Sequence, residues 1–154
     1  MTSRLVTLAI ILSGLSVIGW AQPGTSAKNN KEVAAATQTG FRSSAAYAEL
    51  LLRRTEMTSS LESLVLEYTE EYPKVKELRQ GLVVIDRESD RLSKVKASDV
   101  SRLTLALGKL IVRKVELETD LWKLQKDYKD EHPDVKRAKR RVEIYESAIS
   151  EILN

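Results

Sequence analysis

The sequence predicts an all-α protein made of two tandem antiparallel helical hairpins, with four coiled-coil-like helices following an N-terminal signal or anchor segment. Its composition is rich in leucine, valine, glutamate, lysine and arginine and contains only 5% aromatic residues, which is typical of long helices. Apolar side chains recur at alternating three- and four-residue steps, the spacing of helices that pack along a seam. The whole pattern then occurs a second time, sixty residues further along the chain.

This repetition is close enough to define the units. Shifting the chain by sixty positions superposes ten identical residues and keeps the flanking apolar and charged positions in phase. Agreement at one fixed offset indicates a tandem duplication of one helical unit, with the two units at residues 43–93 and 98–154. The identical pairs are Leu50/Leu110, Arg53/Arg113, Glu56/Glu116, Leu61/Leu121, Leu64/Leu124, Tyr68/Tyr128, Glu71/Glu131, Pro73/Pro133, Val75/Val135 and Lys76/Lys136.

The N-terminal residues 1–21 have the layout of a secretory signal peptide. A short basic start that includes Arg4 precedes an apolar stretch, and small residues precede a possible cleavage site after Ala21. A retained membrane anchor and a buried helix are the alternatives, although about seventeen apolar residues reach only about 25 Å, short of a hydrocarbon core of about 30 Å. Residues 22–42 are rich in glycine, serine, threonine, asparagine and alanine and are expected to form a flexible linker.

Composition also restricts the classes of function. The chain has no cysteine, so it has neither disulfides nor a cysteine for acyl anchoring, and its stability must come from packing. The formal net charge of +3 is too near balance to indicate a nucleic-acid partner, and none is expected. No glycine-rich phosphate loop, zinc-ligand spacing or nucleophile motif occurs, so we expect no enzyme, cofactor or metal site.

In each unit the seam predicts a helix of about 28 residues, then a proline, then a helix of about 20 residues. A basic residue, Arg54 or Lys114, occupies one slot of each long seam and is expected to hold its stem in the interface and its charge outside. Ser98 or Asp99 is the expected N-cap of the third helix. The first seam comprises Tyr47, Leu50, Met57, Leu61, Leu64, Tyr68, Val75, Leu78, Leu82, Ile85 and Leu92, and the second comprises Leu103, Leu107, Leu110, Leu117, Leu121, Leu124, Tyr128, Val135, Ala138, Val142, Tyr145, Ile149 and Ile152.

The junction inside each unit has two interpretations. Proline disfavours a helical residue before it and suits the first turn of a new helix, which favours a chain reversal into a hairpin. The seam keeps its phase across the junction, as a proline-kinked continuous helix would also allow. Glutamates at seam positions 71 and 131 favour the hairpin, and His132 is expected to have a capping or turn role. The junction residues are Tyr68, Tyr72, Pro73, Tyr128, His132 and Pro133.

The third helix carries a second apolar row, formed by Leu105, Val112, Val115 and Trp122, nearly opposite its seam. A helix that is apolar on two faces needs two neighbours. One is its own hairpin partner, and the other is the first hairpin or a second chain. The sequence therefore predicts a compact four-helix bundle or a dimer, with this row as the inter-hairpin or oligomer face.

The segments Tyr68–Val75 and Tyr128–Val135, each a tyrosine followed by polar residues and then Tyr-Pro-x-Val or His-Pro-x-Val between leucine ladders, resemble a known family. They are similar to the periplasmic coiled-coil segments of bacterial polysaccharide co-polymerases, the chain-length determinant and exopolysaccharide-export proteins. The resemblance covers the helical stalk alone. Family members also have two transmembrane helices and an α/β base domain, and the resemblance does not extend to these parts or to chain-length control. It implies a periplasmic helical protein that is a partner of an envelope-assembly system.

The last helix begins with a run of cations. Most of them fan across the face opposite the seam, so a solvated surface is the simplest interpretation, and binding of an anionic polysaccharide or a lipid headgroup is the alternative. The possible anion-binding residues are Lys136, Arg137, Lys139, Arg140 and Arg141.

Together these features predict a non-enzymatic, exported helical scaffold or adaptor protein of the bacterial cell envelope. It is expected in the periplasm or outside the cell, or held at the inner membrane by its N-terminal segment. Its partner would be a protein or a second copy bound through apolar helix faces. The alternative is a module that binds anionic polysaccharide or lipid headgroups through the basic face.

Overall fold

The computed structural model describes residues 38–154, and every regular element among them is helical. This confirms the all-α class for that part of the chain. The predicted signal or anchor segment 1–21 and the linker up to residue 37 lie outside the described residues. After a short helical stretch at 38–42, the elements are α1 (Ala45–Val65), α2 (Pro73–Ser93), a 3-10 helix (Ala97–Arg102), α3 (Leu105–Asp127) and α4 (Pro133–Leu153). Among residues 38–154, no helix is long and apolar enough to cross a bilayer.

The folded part begins earlier than predicted. The expected linker extended to residue 42, but residues 38–42 are helical and Phe41 is buried in the main core. The Phe41 ring meets the Tyr47 ring edge to face, with 4.8 Å between centroids, and burial of this apolar ring favours order over a flexible tether. Ser44 then caps α1, because its hydroxyl oxygen accepts a hydrogen bond from the Tyr47 backbone N–H.

Both junctions are true breaks. The chain leaves the helical conformation after Val65 and Asp127 and resumes it at Pro73 and Pro133, so the kinked-helix alternative does not hold. The two long helices are consequently shorter than predicted, at 21 residues for α1 and 23 for α3.

Contacts between side chains give the directions of the helices. Arg54 pairs with Asp86 at 2.7 Å, and Met57, one turn further along α1, meets Gly81, one turn earlier in α2. Helices α1 and α2 therefore run in opposite directions.

Helices α3 and α4 show the same reversal. Lys114 in the middle of α3 pairs with Glu146 in the second half of α4, whereas Leu124 near the end of α3 and Ala138 near the start of α4 line one groove close to the junction.

Helix α3 is the central element, because it packs against each of the other three helices. It runs parallel to α1: Gly108 lies against Ala46, and Arg53 pairs with Glu116 at 3.1 Å. It runs antiparallel to α2, with Lys123 3.6 Å from Glu77 and Lys114 2.9 Å from Glu88. Since α1 and α3 are parallel, the two junctions lie at the same end of the structure.

The connection between α2 and α3 differs from the prediction. Ser98 and Asp99 lie within the 3-10 helix and do not cap α3. The cap is Thr104, whose hydroxyl accepts from the Leu107 backbone N–H at 3.3 Å. Arg102 of the 3-10 helix donates to the Leu153 carbonyl at 2.8 Å, which fixes the connection against the end of α4.

The core consists largely of seam positions and divides into two clusters. The smaller cluster lies between α1 and α2 near their junction and comprises Met57, Leu61, Val75 and Leu78. The larger cluster contains residues of all four helices and of the segments that precede α1 and α3. It comprises Phe41, Ala46, Leu50, Val84, Ile85, Leu92, Leu103, Leu107, Ile111, Val115 and Ile149.

Gly108 is expected to be required for the close approach of α1 and α3. A β-carbon at this position would lie 2.9 Å from both the Ala46 Cα and the Glu49 Cβ, nearer than such atoms normally approach. Overpacking of this kind costs about 1–3 kcal/mol, which exceeds the gain in helix propensity of about 1 kcal/mol. The net effect is the difference, so Gly108→Ala should lower the free energy of unfolding in urea by up to about 2 kcal/mol.

The exposed position 106 on the same helix provides the control, since Ala106→Gly should show only the propensity cost of about 1 kcal/mol. A Gly108→Ala variant more stable than the wild type would contradict the close approach.

Candidate functional site

The two junctions have the same local structure. The rings of Tyr68 and Tyr72 stack with their centroids 4.2 Å apart, and those of Tyr128 and His132 stack at 4.1 Å. In each turn the second residue of the pair donates its backbone N–H to the carbonyl three residues before it, at 3.0 Å. The three tyrosine rings are exposed and the imidazole is partly exposed. The junction residues predicted from the sequence thus form two matching aromatic turns.

Proline explains why each turn opens where it does. Tyr72 and His132 adopt extended backbone angles (ψ of 128° and 138°) because the proline ring that follows disfavours a helical residue before it. The capping role predicted for His132 is confirmed, since its Nδ1 accepts the Asp134 backbone N–H at 3.2 Å. Tyr72 has no side-chain acceptor at the matching place and forms no such bond.

A buried ion cluster lies between α2, α3 and α4. Lys114, expected to hold its charge outside, is only 5% exposed, and its Nζ lies 2.9 Å from Glu88 and 3.4 Å from Glu118. It also pairs with Glu146. The expectation is wrong because this slot of α3 faces two further helices that supply carboxylates. In the matching slot of α1, the Arg54 charge does remain outside and pairs with Asp86.

Two arginines complete the cluster. Arg87 pairs with Glu118, and Arg91 pairs with Glu146 at 2.8 Å. Burial alone would raise the pKa of Glu146, but hydrogen bonds from Arg91 and Lys114 outweigh it and lower that pKa to about 2. Burial likewise works to lower the pKa of Lys114, and bonds to Glu146 and Glu88 reverse the direction and raise it. Lys114 and Glu146 therefore stay charged at neutral pH and hold three helices together.

The predicted second apolar row is divided between two environments. Val115 is fully buried and Val112 packs against the core, in line with a contact to the first pair of helices. Leu105 is exposed, and Trp122 is partly exposed with the Lys126 Nζ 3.5 Å above its ring. Only the middle of this row thus lies in the contact.

The basic face of α4 is mainly solvated. Arg137 and Arg140 are exposed and pair with carboxylates on their own helix, and Lys139 reaches Asp130 at 3.0 Å. Lys136 and Arg141 are exposed and form no ion pair with any residue between 38 and 154.

Some exposed apolar side chains were not singled out from the sequence as a surface, among them Leu51, Leu52 and Ile144. Leu51 and Leu52 lie on the side of α1 away from α2, and Ile144 lies on α4. Their exposed fractions are 45%, 57% and 53%. The sixty-residue repeat matches Leu51 with Ile111 and Ile144 with Val84 in the sequence, and the structure shows that these two counterparts are buried.

In the described part of the chain, no group of three or more histidine, aspartate or glutamate side chains is placed to hold a metal ion. Comparison of the sequence and fold with protein-family models, curated proteins and solved structures finds no match.

The depressed pKa of Glu146 predicts a loss of stability in acid. A carboxyl whose pKa is about 2 in the folded protein and near 4.5 in the unfolded chain stabilises the fold above pH 4.5, and this contribution disappears as the pH falls towards 2. Glu146→Gln should lower the free energy of unfolding at pH 7. Its stability should also fall less than that of the wild type between pH 4.5 and 2, as measured by urea denaturation at each pH.

Glu143→Gln is the matched control, because it removes an exposed carboxylate from the same helix. If both substitutions changed the pH dependence of stability equally, a stabilising contribution from the depressed pKa of Glu146 would be contradicted.

Proposed function

We propose that this protein is a non-enzymatic helical scaffold or adaptor of the bacterial cell envelope, built from two tandem hairpin units. The observation that carries the proposal is the exposure of Leu51, Leu52 and Ile144 at positions whose counterparts sixty residues away are buried or packed against the core. Exposure of apolar side chains at positions that are covered in the other unit supports a place where another macromolecule binds.

The tandem-unit part of the proposal rests on similarity in sequence and in local structure. The sequence matches itself at one offset, and the matched junctions share a stacked aromatic pair and a proline at the start of the next helix. A single helical unit of this kind could not bury its apolar face alone, which explains why two units pack together.

Export is supported by the signal-like residues 1–21 and by the family resemblance of the two junction segments. The resemblance connects the proposed adaptor with polysaccharide export. The same segments indicate that the protein acts in the periplasm or beyond it, with a retained N-terminal anchor as the alternative to cleavage.

A photo-crosslinking residue introduced in living cells tests the adaptor function. At position 52 or 144 it should give adducts with proteins of the envelope fraction, because these positions lie on the proposed binding surfaces. The measurement is the mass of each adduct after separation of envelope and cytoplasmic fractions. The mass of the unreacted chain reports whether residues 1–21 have been removed.

Position 83 is the control for exposure, since Val83 is 64% exposed but lies outside both surfaces. Adducts that form at 83 as readily as at 52 and 144, or that occur only in the cytoplasmic fraction, would contradict the proposal.

The second candidate function is binding of anionic polysaccharide or lipid headgroups. It is favoured by Lys136 and Arg141, the exposed cations of α4 that make no ion pair within residues 38–154. Free cations near a polyanionic surface contribute about 1 kcal/mol each, and salt weakens the attraction.

Reversal of both charges, Lys136→Glu with Arg141→Glu, should weaken binding to anionic lipid vesicles or an acidic polysaccharide at least tenfold. Lys94→Glu with Lys96→Glu makes the same change in net charge at exposed positions near the other end of the helices and should have little effect. Binding measured by co-sedimentation should also fall as salt is added. Binding that is independent of salt, or equally sensitive to both double variants, would contradict a site on α4.

A further inference from the structure

We propose that the exposed apolar surfaces bind a second copy of this chain, head to tail, by repeating the contact that already joins the two units. This inference rests on the proposed adaptor function and names its partner. Two surfaces are involved, the outer face of α1 (Ala45, Ala48, Leu51, Leu52, Thr55 and Ser59) and the α3–α4 surface (Ala106, Leu110, Arg113, Arg141, Ile144 and Ala148).

The contact within the chain supplies the template. Helix α3 places Gly108 against Ala46 of α1 and buries Ile111 and Val115 completely. Arg53 closes the edge of this contact through its ion pair with Glu116. The first unit thus offers a surface, and the second unit covers it with one face of α3.

The outer face of α1 repeats that covering face. Leu51 and Leu52 occupy the positions of Ile111 and Val112, sixty residues earlier. Ile111 is 0% exposed, whereas Leu51 and Leu52 are each about half exposed because no described residue covers this side of α1. The small residues Ala48 and Ser59 likewise stand at the positions of Gly108 and Thr119. The first unit therefore has a face suited to lie on a preceding unit.

The α3–α4 surface repeats the surface that is covered. Ile144 stands at the position of Val84, and Val84 is only 2% exposed. Val84 lies one turn before Glu88, which pairs with Lys114 of α3. Ala106 stands at the position of the fully buried Ala46 and is exposed. In the first unit this side is covered by α3. The equivalent side of the second unit is not covered by any described residue.

Charge fits the same arrangement. Arg113 and Glu56 are the counterparts of Arg53 and Glu116, and both are exposed. Within the chain Arg113 pairs with Glu116 at 2.6 Å and Glu56 with Arg53 at 3.2 Å, so the contact between copies would exchange these partners. If α1 of a second copy lay on the α3–α4 surface as α3 lies on the first unit, Glu56 of that copy would approach Arg113 of the first copy. This would repeat the approach of Glu116 to Arg53 within the chain. Arg141 adds positive charge to the α3–α4 surface, and Glu62 adds negative charge next to the outer face of α1.

Several differences make the contact between copies weaker than the contact within the chain. On the α3–α4 surface, Arg141 stands at the position of the buried Gly81. Ala48 replaces Gly108, whose hydrogen side chain allows the close approach to Ala46. The extra β-carbon holds the helices further apart, so association should depend on concentration. Because the two surfaces differ, the contact is heterologous, and each added copy leaves one of each surface open.

A pair of blocked variants tests this directly with the full chain purified as the cell processes it. Leu52→Asp blocks the outer face of α1, and Ile144→Asp blocks the α3–α4 surface. Both positions are largely exposed, so the fold should survive, which circular dichroism checks. In sedimentation velocity, the mean sedimentation coefficient of the wild type should rise with protein concentration. Each variant alone should associate at least tenfold more weakly.

Mixed together, the two variants should form a dimer that stops at two copies, because each partner then contributes its one intact surface. Val83→Asp, an exposed apolar position on neither surface, should associate like the wild type. Ala48→Gly should tighten association by restoring the glycine of the template.

A wild type that stays monomeric at every soluble concentration would overturn the inference. So would a dimer that neither variant weakens, or a failure of the mixed variants to pair. In each of these cases, crosslinks from positions 52 and 144 to a different envelope protein would leave the adaptor function standing, so the two proposals fail separately.

Discussion

The buried ammonium group of Lys114 is the interaction on which the arrangement of α2, α3 and α4 depends. A charge taken out of water costs several kcal/mol unless it is paired, and here carboxylates from all three helices surround it. Sliding any one of these helices by a turn would leave a charge unpaired inside the structure. The cluster is therefore less a source of stability than a constraint on register, since apolar seams alone tolerate several alignments.

The contact between α1 and α3 follows from a second constraint, which is steric. Gly108 has no side chain, so the two parallel helices approach closely, and Ala46 of α1 and Ile111 of α3 are fully buried. Sixty residues earlier, α1 has alanine at the matching position, Ala48. The face of α3 that carries Gly108 is covered by α1, whereas the face of α1 that carries Ala48 is exposed.

Much of the fold could be predicted because the seams obey a simple period. The all-α class, the buried seam positions and the cap formed by His132 all follow from local spacing and proline chemistry. The surroundings of Lys114 could not be predicted, because its partners Glu88 and Glu146 look like ordinary surface carboxylates in the sequence. The start of α3 was also misplaced, since Ser98 is as good a cap by residue type as Thr104, and only packing of the 3-10 helix decides between them. Identifying the candidate surfaces required both the sequence and the structure. The sixty-residue repeat identifies equivalent positions, and only the three-dimensional contacts show which of them is covered.

The parallel course of α1 and α3 has a consequence for reach. Both aromatic turns lie at one end of the helices, whereas the stretch at 38–42, which continues from the N-terminal residues, lies at the other. A helix of 21 residues is about 30 Å long at a rise of about 1.5 Å per residue. The tyrosine and histidine rings are therefore displayed about 30 Å from the stretch at 38–42, at the opposite end of the helices.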